Sequence, residues 1–419
     1  MGPAPGGARL AIVYPRASLD TVPSLTNAAE LLAERGYSVD VFTYVAASQP
    51  APRFAHRQVR LRPLGVEGVA DASTAGVRKV VRQAGWLRDS PLREPLRRGY
   101  VAVGAGLASG SRLLARARTL STGARYRCVI GVDPEGLELA HRLARGAPVA
   151  YYSLELLLSN EVSDAERRIK DQERSLSRLA PFVVVQDADR GRLLAQDNDL
   201  PWQRLILVPN APRGPARRRP SEAWRARFGL APSQRVVLHA GSLGDWTGVD
   251  AIVDSVPSWP DDWVLVVHTR YDAGSSTYVD RLRARAAPGR VFFSLKPVPR
   301  QAYDDLIDGA DVGLGFYVAT GDSSYTRRNI QTIGLSSGKL AYYLRAGLPV
   351  VVNAAASVSR DVEAFGCGVA VDQARDIPAA LAQLEQTYAA YSQRACAFFD
   401  QHLEFSRAFA AVIERIDWL

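Results

Sequence analysis

Apolar residues in the first half of the chain fall into short, nearly unbroken runs, separated by longer stretches in which they recur every three or four positions. RLAIVYP from Arg9 is such a run; SLTNAAELLAERGY behind it has helical spacing that stops at Gly36, and SVDVFTY returns to strand. The same alternation predicts strands in RCVIGVDP, APVAYYSLE, PFVVVQD and RLILVPN. It predicts helices in EGLELAHRLARG, from about Ser163 to Leu179, and from about Ala188. Strands that are apolar on both faces belong to parallel sheets covered by helices on each side. A doubly wound α/β domain is therefore expected over residues 1–208.

Pro209, Pro212, Pro215 and Pro220 make PNAPRGPARRRP unable to continue a helix or a central strand, so 209–222 reads as a linker. Beyond it the alternation restarts with strands in QRVVLHAGSLGDW, DDWVLVVHTR, GRVFFSLKPV, ADVGLGFY, GLPVVVN and FGCGVAVD, and with helices from about Val249, near Tyr278 to Ala286, from Arg300 to Gly309 and just before GLPVVVN. A second doubly wound domain is expected over 223–390, with helices from 391 to 419. Two domains also suit 419 residues, more than one hydrophobic core usually serves.

Composition narrows the class. With 47% hydrophobic and 23% charged residues the chain is globular, not disordered or fibrous. Its three cysteines, Cys128, Cys367 and Cys396, form no CxxC pair, so neither a disulfide framework nor a zinc site is expected. The first residues lack the apolar core of a secretory signal, and no run of some 18 apolar residues occurs. A cytoplasmic protein is expected. The net charge of +9 is uneven: segment 75–127 runs from Arg78 to Arg127 with twelve basic residues against Asp89 and Glu94. Such a stretch suits an anionic membrane surface and peripheral attachment, or is simply a solvated helix face. No aromatic-interleaved module supports nucleic acid as a partner.

In open parallel sheets ligands bind beyond the carboxyl ends of strands. Two strand-to-helix junctions carry suitable chemistry. GSLGDWTG after VVLHA is small and Gly-rich, so Gly241 and Ser242 let a phosphate approach backbone amides. SSGK places Ser336, Ser337 and Gly338 before a helix, where free amides and the positive helix end face one volume, and Lys339 adds a point charge. Together with Arg270 at another strand end they describe a diphosphate pocket. Asp133, Glu135 and Glu155 fall just beyond strands of the first domain. Helix capping accounts for Asp133, and Glu155, within an apolar stretch, is the acceptor-side acid. His239 and His268, each ending an apolar strand, read as satisfied core histidines.

The order of these motifs resembles the GT-B fold and, within it, the retaining family 4 glycosyltransferases. VVLHAGSLGDWTGVDAIVDSV is similar to the strand, Gly-loop and helix that open the donor domain. VFFSLKPVPRQAYDDLIDGADVGLGFY resembles the segment against the nucleobase, which brings in Lys296. SSGKLAYYLRAGLPVVV resembles the signature helix and strand, with Gly347 and Pro349 matching. The resemblance implies transfer of a sugar from a nucleoside diphosphate donor, retaining and metal-independent, with no bound cofactor. The acceptor would be a glycan, a lipid-linked sugar or a small molecule on the first domain. The chain lacks the Arg and Lys usual in the Gly-loop, so Arg270 and Lys339 take the diphosphate. Tyr342 stands where a glutamate normally meets the ribose, and Gly334 where a second acid stands. Asn329, with Arg327 and Arg328 in the polar loop from Thr320 to Leu335, is expected to contact sugar hydroxyls or phosphate. A catalytically silent GT-B partner or scaffold is the alternative.

Overall fold

The computed structural model describes residues 7–17, 19, 22–46, 51–67, 113–269, 276–296, 298, 300–320, 328–354 and 356–419, without the side chains of 46, 67, 300, 301 and 356. Among these residues the chain builds two parallel sheets. The first has strands β1 Arg9–Tyr14, β2 Ser38–Ala46, β3 Val59–Glu67, β4 Tyr126–Val132, β5 Val149–Tyr152, β6 Val183–Val185 and β7 Leu205–Leu207. Their spatial order is β3-β2-β1-β4-β5-β6-β7. The second comprises β8 Arg235–Ala240, β9 Trp263–His268, β10 Val291–Ser294, β11 Val312–Gly315, β12 Val350–Asn353 and β13 Gly368–Val371, ordered β10-β9-β8-β11-β12-β13.

Helices α1 Pro23–Glu34, α2 Asp133–Leu143, α3 Asp164–Ser177 and α4 Ala188–Asn198 accompany the first sheet. α5 Ala223–Phe228, α6 Val249–Ser255, α7 Thr277–Arg285, α8 Arg300–Asp308, α9 Arg328–Gln331, α10 Gly338–Arg345, α11 Ala356–Phe365, α12 Ile377–Gln386 and α13 Tyr388–Phe398 accompany the second. Alternate strand residues face opposite ways, so each sheet divides two cores. In β1, Leu10, Ile12 and Tyr14 join one core and Ala11 and Val13 the other. In β8, Val236, Leu238 and Ala240 face one side and Val237 the other. This two-sided burial is why the strands read as unbroken apolar runs. An irregular stretch, 208–222, joins the sheets.

Strand β3 departs from the sequence reading, which left 59–67 without an element. It lies at the sheet edge and pairs in parallel with β2 alone, with a register shift at Thr43/Tyr44. An edge strand tolerates Pro63, which has no N–H to give to a neighbour. Its interleaved arginines are used as well: Arg62 Nε donates to Asp40 Oδ1 at 2.8 Å.

After α13 a π-helical turn, Phe399–Leu403, redirects the chain into α14 Phe405–Trp418. That last helix returns to the first sheet, where Phe405, Phe409, Val412 and Ile416 share a core with β1 and α1. Asp417 ties it down, accepting from Arg35 Nη2 at 2.8 Å and from Tyr37 Oη at 2.6 Å. Arg127, from the basic segment, donates to the carbonyls of Ile416 and Asp417 at 3.1 and 2.7 Å. Most of that segment, 75–112, lies outside the described residues.

In both sheets the strand order reverses between two central neighbours: β1 and β4 in the first, β8 and β11 in the second. Chain leaving those strands diverges to opposite faces and opens a crevice between them. Close packing narrows the first crevice. A Cβ on Gly136 of α2 would come within 2.4 Å of the Val13 carbonyl oxygen. Gly136→Ala is expected to push α2 off β1 and cost about 1–3 kcal/mol in urea denaturation.

Candidate active site

The crevice of the second sheet holds the donor-side candidates. Gly241 leaves β8 with φ 153, and its N–H donates to the His268 carbonyl at 3.0 Å. Facing it is Lys339, whose Cε lies 3.6 Å from where a Cβ on Gly241 would stand. Lys339 Nζ rests 4.5 Å from the centroid of the Tyr317 ring, which follows β11. Tyr317 is held by Asn353 at the end of β12: its N–H donates to Asn353 Oδ1 at 2.9 Å, and Asn353 Nδ2 donates to its carbonyl at 2.8 Å. Trp246, in the Gly-rich loop, lies nearly parallel to the Tyr317 ring.

Ser337 caps α10, its Oγ accepting from Leu340 N at 3.4 Å and bonding to Tyr317 Oη. The first amides of α10 thus start beside the Gly241 loop, where the helix end is positive. One more residue locks the two together. Tyr343 Oη accepts from Ala240 N at 2.7 Å, and its ring occupies the space a side chain on Gly313 would need.

His239, expected to be a satisfied core residue, is fully buried. Its Nε2 contacts the Ser242 carbonyl at 3.3 Å, while Nδ1 has no hydrogen-bond partner among the described residues. Burial, then the neighbouring Lys339 charge, pull its pKa well below the ordinary value, so the imidazole is neutral at pH 7. Lys296 is exposed beyond β10. Arg270 and Arg327 lie outside the described residues.

Tyr342, Asn329, Ser336 and Gly338 each have protein neighbours of their own. The Tyr342 ring is buried edge-on against Tyr303, centroids 4.9 Å apart, with the Arg345 guanidinium 5.6 Å from its centre. It belongs to the core on that side of the sheet. Asn329 is buried, and its amide is engaged with the first domain instead of facing open space. Nδ2 donates to the Leu156 carbonyl at 2.7 Å, and Oδ1 accepts from Leu156 N at 3.0 Å and from Arg190 Nη2 at 2.7 Å. Ser336 Oγ accepts from Arg190 Nη1 at 3.0 Å, and its carbonyl accepts from Asn210 Nδ2 at 3.2 Å. Gly338 sits against Asn210, whose amide nitrogen would be 3.4 Å from an added Cβ.

Arg190, which the sequence reading passed over, is the centre of this junction. It is 2% exposed and also donates to the Leu154 carbonyl at 2.9 Å. One guanidinium therefore bonds the loop after β5 and two residues of the second domain.

The crevice of the first sheet holds the acceptor-side carboxylates. Asp133 opens α2 with φ 56, which turns its side chain away from its own helix; the helix has no side-chain cap there. This replaces the expected capping role. Asp133 Oδ1 accepts from Leu154 N and Glu155 N at 2.8 and 3.0 Å, and Oδ2 lies 3.2 Å from Arg16 Nη1. Arg16 also donates to Glu135 at 3.0 Å. Glu155 is exposed and interacts electrostatically with Asp133 and Arg190.

Burial raises the Asp133 carboxyl to about 7, with Arg16 pulling the other way and Glu155 reinforcing the rise. The unfolded chain titrates near pH ~4. Between these values the folded state holds the extra proton, so stability falls as pH rises from about 4 to 7. Asp133→Asn is expected to remove this group's share of the fall, measured as a smaller loss of urea stability between pH 5 and pH 8.

Two parallel-sheet α/β domains in one chain are the GT-B architecture of glycosyltransferases. Residues 299–406 match the family model described as Glucosyltransferase 3-like, C-terminal domain. The structure resembles sucrose-phosphate synthase from Thermosynechococcus elongatus with a TM-score of 0.67 at 14% identity, covering 97% of this chain and 98% of that one. It resembles Anabaena HepE in complex with UDP-glucose at TM-score 0.66 and 14% identity, over 98% and 100% of the two chains. WaaG, a glycosyltransferase involved in lipopolysaccharide biosynthesis, gives 0.60 and 14% over 97% and 98%. No curated protein matches by sequence. Among the described residues no cluster of three or more His, Cys, Asp or Glu is placed to hold a metal ion, and no helix is long and apolar enough to cross a membrane.

Proposed function

We propose that the protein transfers a hexosyl group from a nucleoside diphosphate sugar to a hydroxyl of a glycan, lipid-linked or small-molecule acceptor. The observation that carries this is the meeting of the Gly241 loop, Lys339 and the N-terminus of α10 in the crevice of the second sheet. Those groups suit a diphosphate: flexible backbone, one cation and a positive helix end.

In the reaction the bond from sugar C1 to the β-phosphate oxygen breaks, and the diphosphate leaves with the electron pair. A new C1–O bond forms to the acceptor oxygen, whose proton passes to the departing phosphate if configuration is retained. The charge that grows on the diphosphate needs preorganised donors, which are worth most in a site shielded from water. Lys339, Arg270 and the amides beside Ser337 are the groups assigned to it. Glu155, beside Asp133, is assigned to orient the acceptor hydroxyl. The UDP-glucose in the HepE structure and the glucosyltransferase description of the matching family make UDP-glucose the first donor to test. The basic segment 75–127 is assigned to an anionic membrane surface near a lipid-linked acceptor.

The second reading is a silent GT-B partner of an active transferase. It is favoured by the burial of Tyr342 and by Asn329 being taken up in the domain junction. A thermal-shift series with UDP, GDP, dTDP, ADP and CMP separates the two. A transferase is expected to gain about 2.7 kcal/mol from one nucleotide present at 100 times its Kd. Stability unchanged by every nucleotide, confirmed by calorimetry, would leave the silent partner.

A further inference from the structure

Beside the first turn of α4, where the C-terminal crossover passes, lies a cavity of about 290 Å³ lined by Asp187, Asp189, Arg192, Arg360, Phe365 and His402, among others. Gly241, Ser337 and Lys339 do not line it. Its volume is just under the range of drug-sized ligand sites, roughly 300–1,000 Å³, and suits a single small ring.

Part of the lining is aromatic. Phe365, 37% exposed, has its ring centroid 4.5 Å from that of Phe398 and 4.6 Å from that of His402. The rest is a set of planar polar groups that hold one another in place. Asp189 accepts from Arg192 Nη1 at 2.9 Å and from Arg360 Nη1 at 2.8 Å, and Arg360 Nε donates to Asp361 at 2.9 Å. Asp187 closes one side with a carboxyl that is itself sealed off. It is 9% exposed; Oδ1 accepts from Arg190 N at 2.9 Å, but Oδ2 has no hydrogen-bond partner among the described residues.

Three features restrict the occupant. Asp187, Asp189 and Asp361 nearly balance Arg192 and Arg360, so neither a phosphate nor a strong cation is the natural fit. The aromatic wall asks for an apolar face. The paired carboxylates and guanidiniums suit a ring that both donates and accepts hydrogen bonds around its edge. A neutral polyhydroxylated ring meets all three, with its C–H face on Phe365 and hydroxyls toward Asp189 and Arg360.

The geometry points to a second saccharide site, apart from the donor pocket, that holds one sugar ring of a glycan. It does not depend on the transferase reading, because saccharide binding is measured directly.

Saturation-transfer-difference NMR on the full chain with glucose, methyl mannoside, rhamnose, maltose, cellobiose and lactose tests it. At least one probe is expected to bind, and to persist with excess UDP-glucose and in Lys339→Ala. Phe365→Ala and Asp189→Asn are each expected to weaken it roughly tenfold or more, as loss of a central contact does. If Phe365→Ala does not fold, the near-isosteric Asp189→Asn decides. No binding by any probe, binding unchanged by Asp189→Asn, or displacement by UDP-glucose would overturn the assignment. A failure of the donor reading would show instead as absent nucleotide binding with saccharide binding intact.

Discussion

Lys339→Ala is expected to lower kcat by about 10²–10³ with UDP-glucose or whichever donor the thermal-shift series selects. The reasoning is electrostatic. Lys339 stands against the Gly241 backbone, where a β-phosphate would lose its covalent partner and gain charge. A cation fixed there is stronger in the transition state than in the ground state, so the loss should fall mainly on kcat and less on KM. The stem also packs on Tyr317, and Lys339→Met keeps most of that packing while removing the charge. Both variants are expected to fold with little change in Tm, and Lys339→Arg to restore part of the rate. Turnover equal to wild type in Lys339→Met would remove Lys339 from the mechanism.

The second large effect is on stability. Arg190→Met is expected to cost about 3–5 kcal/mol in urea denaturation, as when one partner of a buried charge network is removed. The guanidinium is surrounded by Leu154, Asn329 and Ser336, and its charge offsets those of Glu155, Asp187 and Asp133. Methionine fills the space but leaves the Leu154 carbonyl without this donor. Because Asn329 bonds both Arg190 and Leu156, Asn329→Ala should couple to Arg190→Met. A double-mutant cycle is expected to give an interaction energy of about 1–3 kcal/mol. Additive effects would mean that the two residues act separately.

Much of the fold was legible because covered parallel strands leave an unambiguous trace: VVLHA, WVLVVH and LPVVVN are apolar on both faces and punctuated by glycine, proline or charge. β3 left a weaker trace, since arginines alternate through it and Pro63 reads as a breaker anywhere but an edge. The meeting of Gly241 with Lys339 could be anticipated, as both lie where strands hand over to helices. Other site features depend on quantities a sequence does not display. Asp133 reads as a capping residue until its positive φ turns the carboxylate across to the next loop. Asn329 reads as a loop residue open to a ligand, and only long-range packing shows it bonded to Leu156, 173 positions earlier. Arg190 looks like any exposed arginine of a polar helix until the second domain closes over it.

The return of α14 to the first sheet bears on how the protein is made. Phe405, Phe409, Val412 and Ile416 complete a core whose other members, from Leu10 to Val208, leave the ribosome much earlier. Until the last helix emerges, the nascent first domain presents an uncovered apolar surface beside α1 and β1. Such surface invites aggregation or chaperone capture while synthesis continues. The amino-terminal half therefore reaches its final form only after α14 has been synthesised.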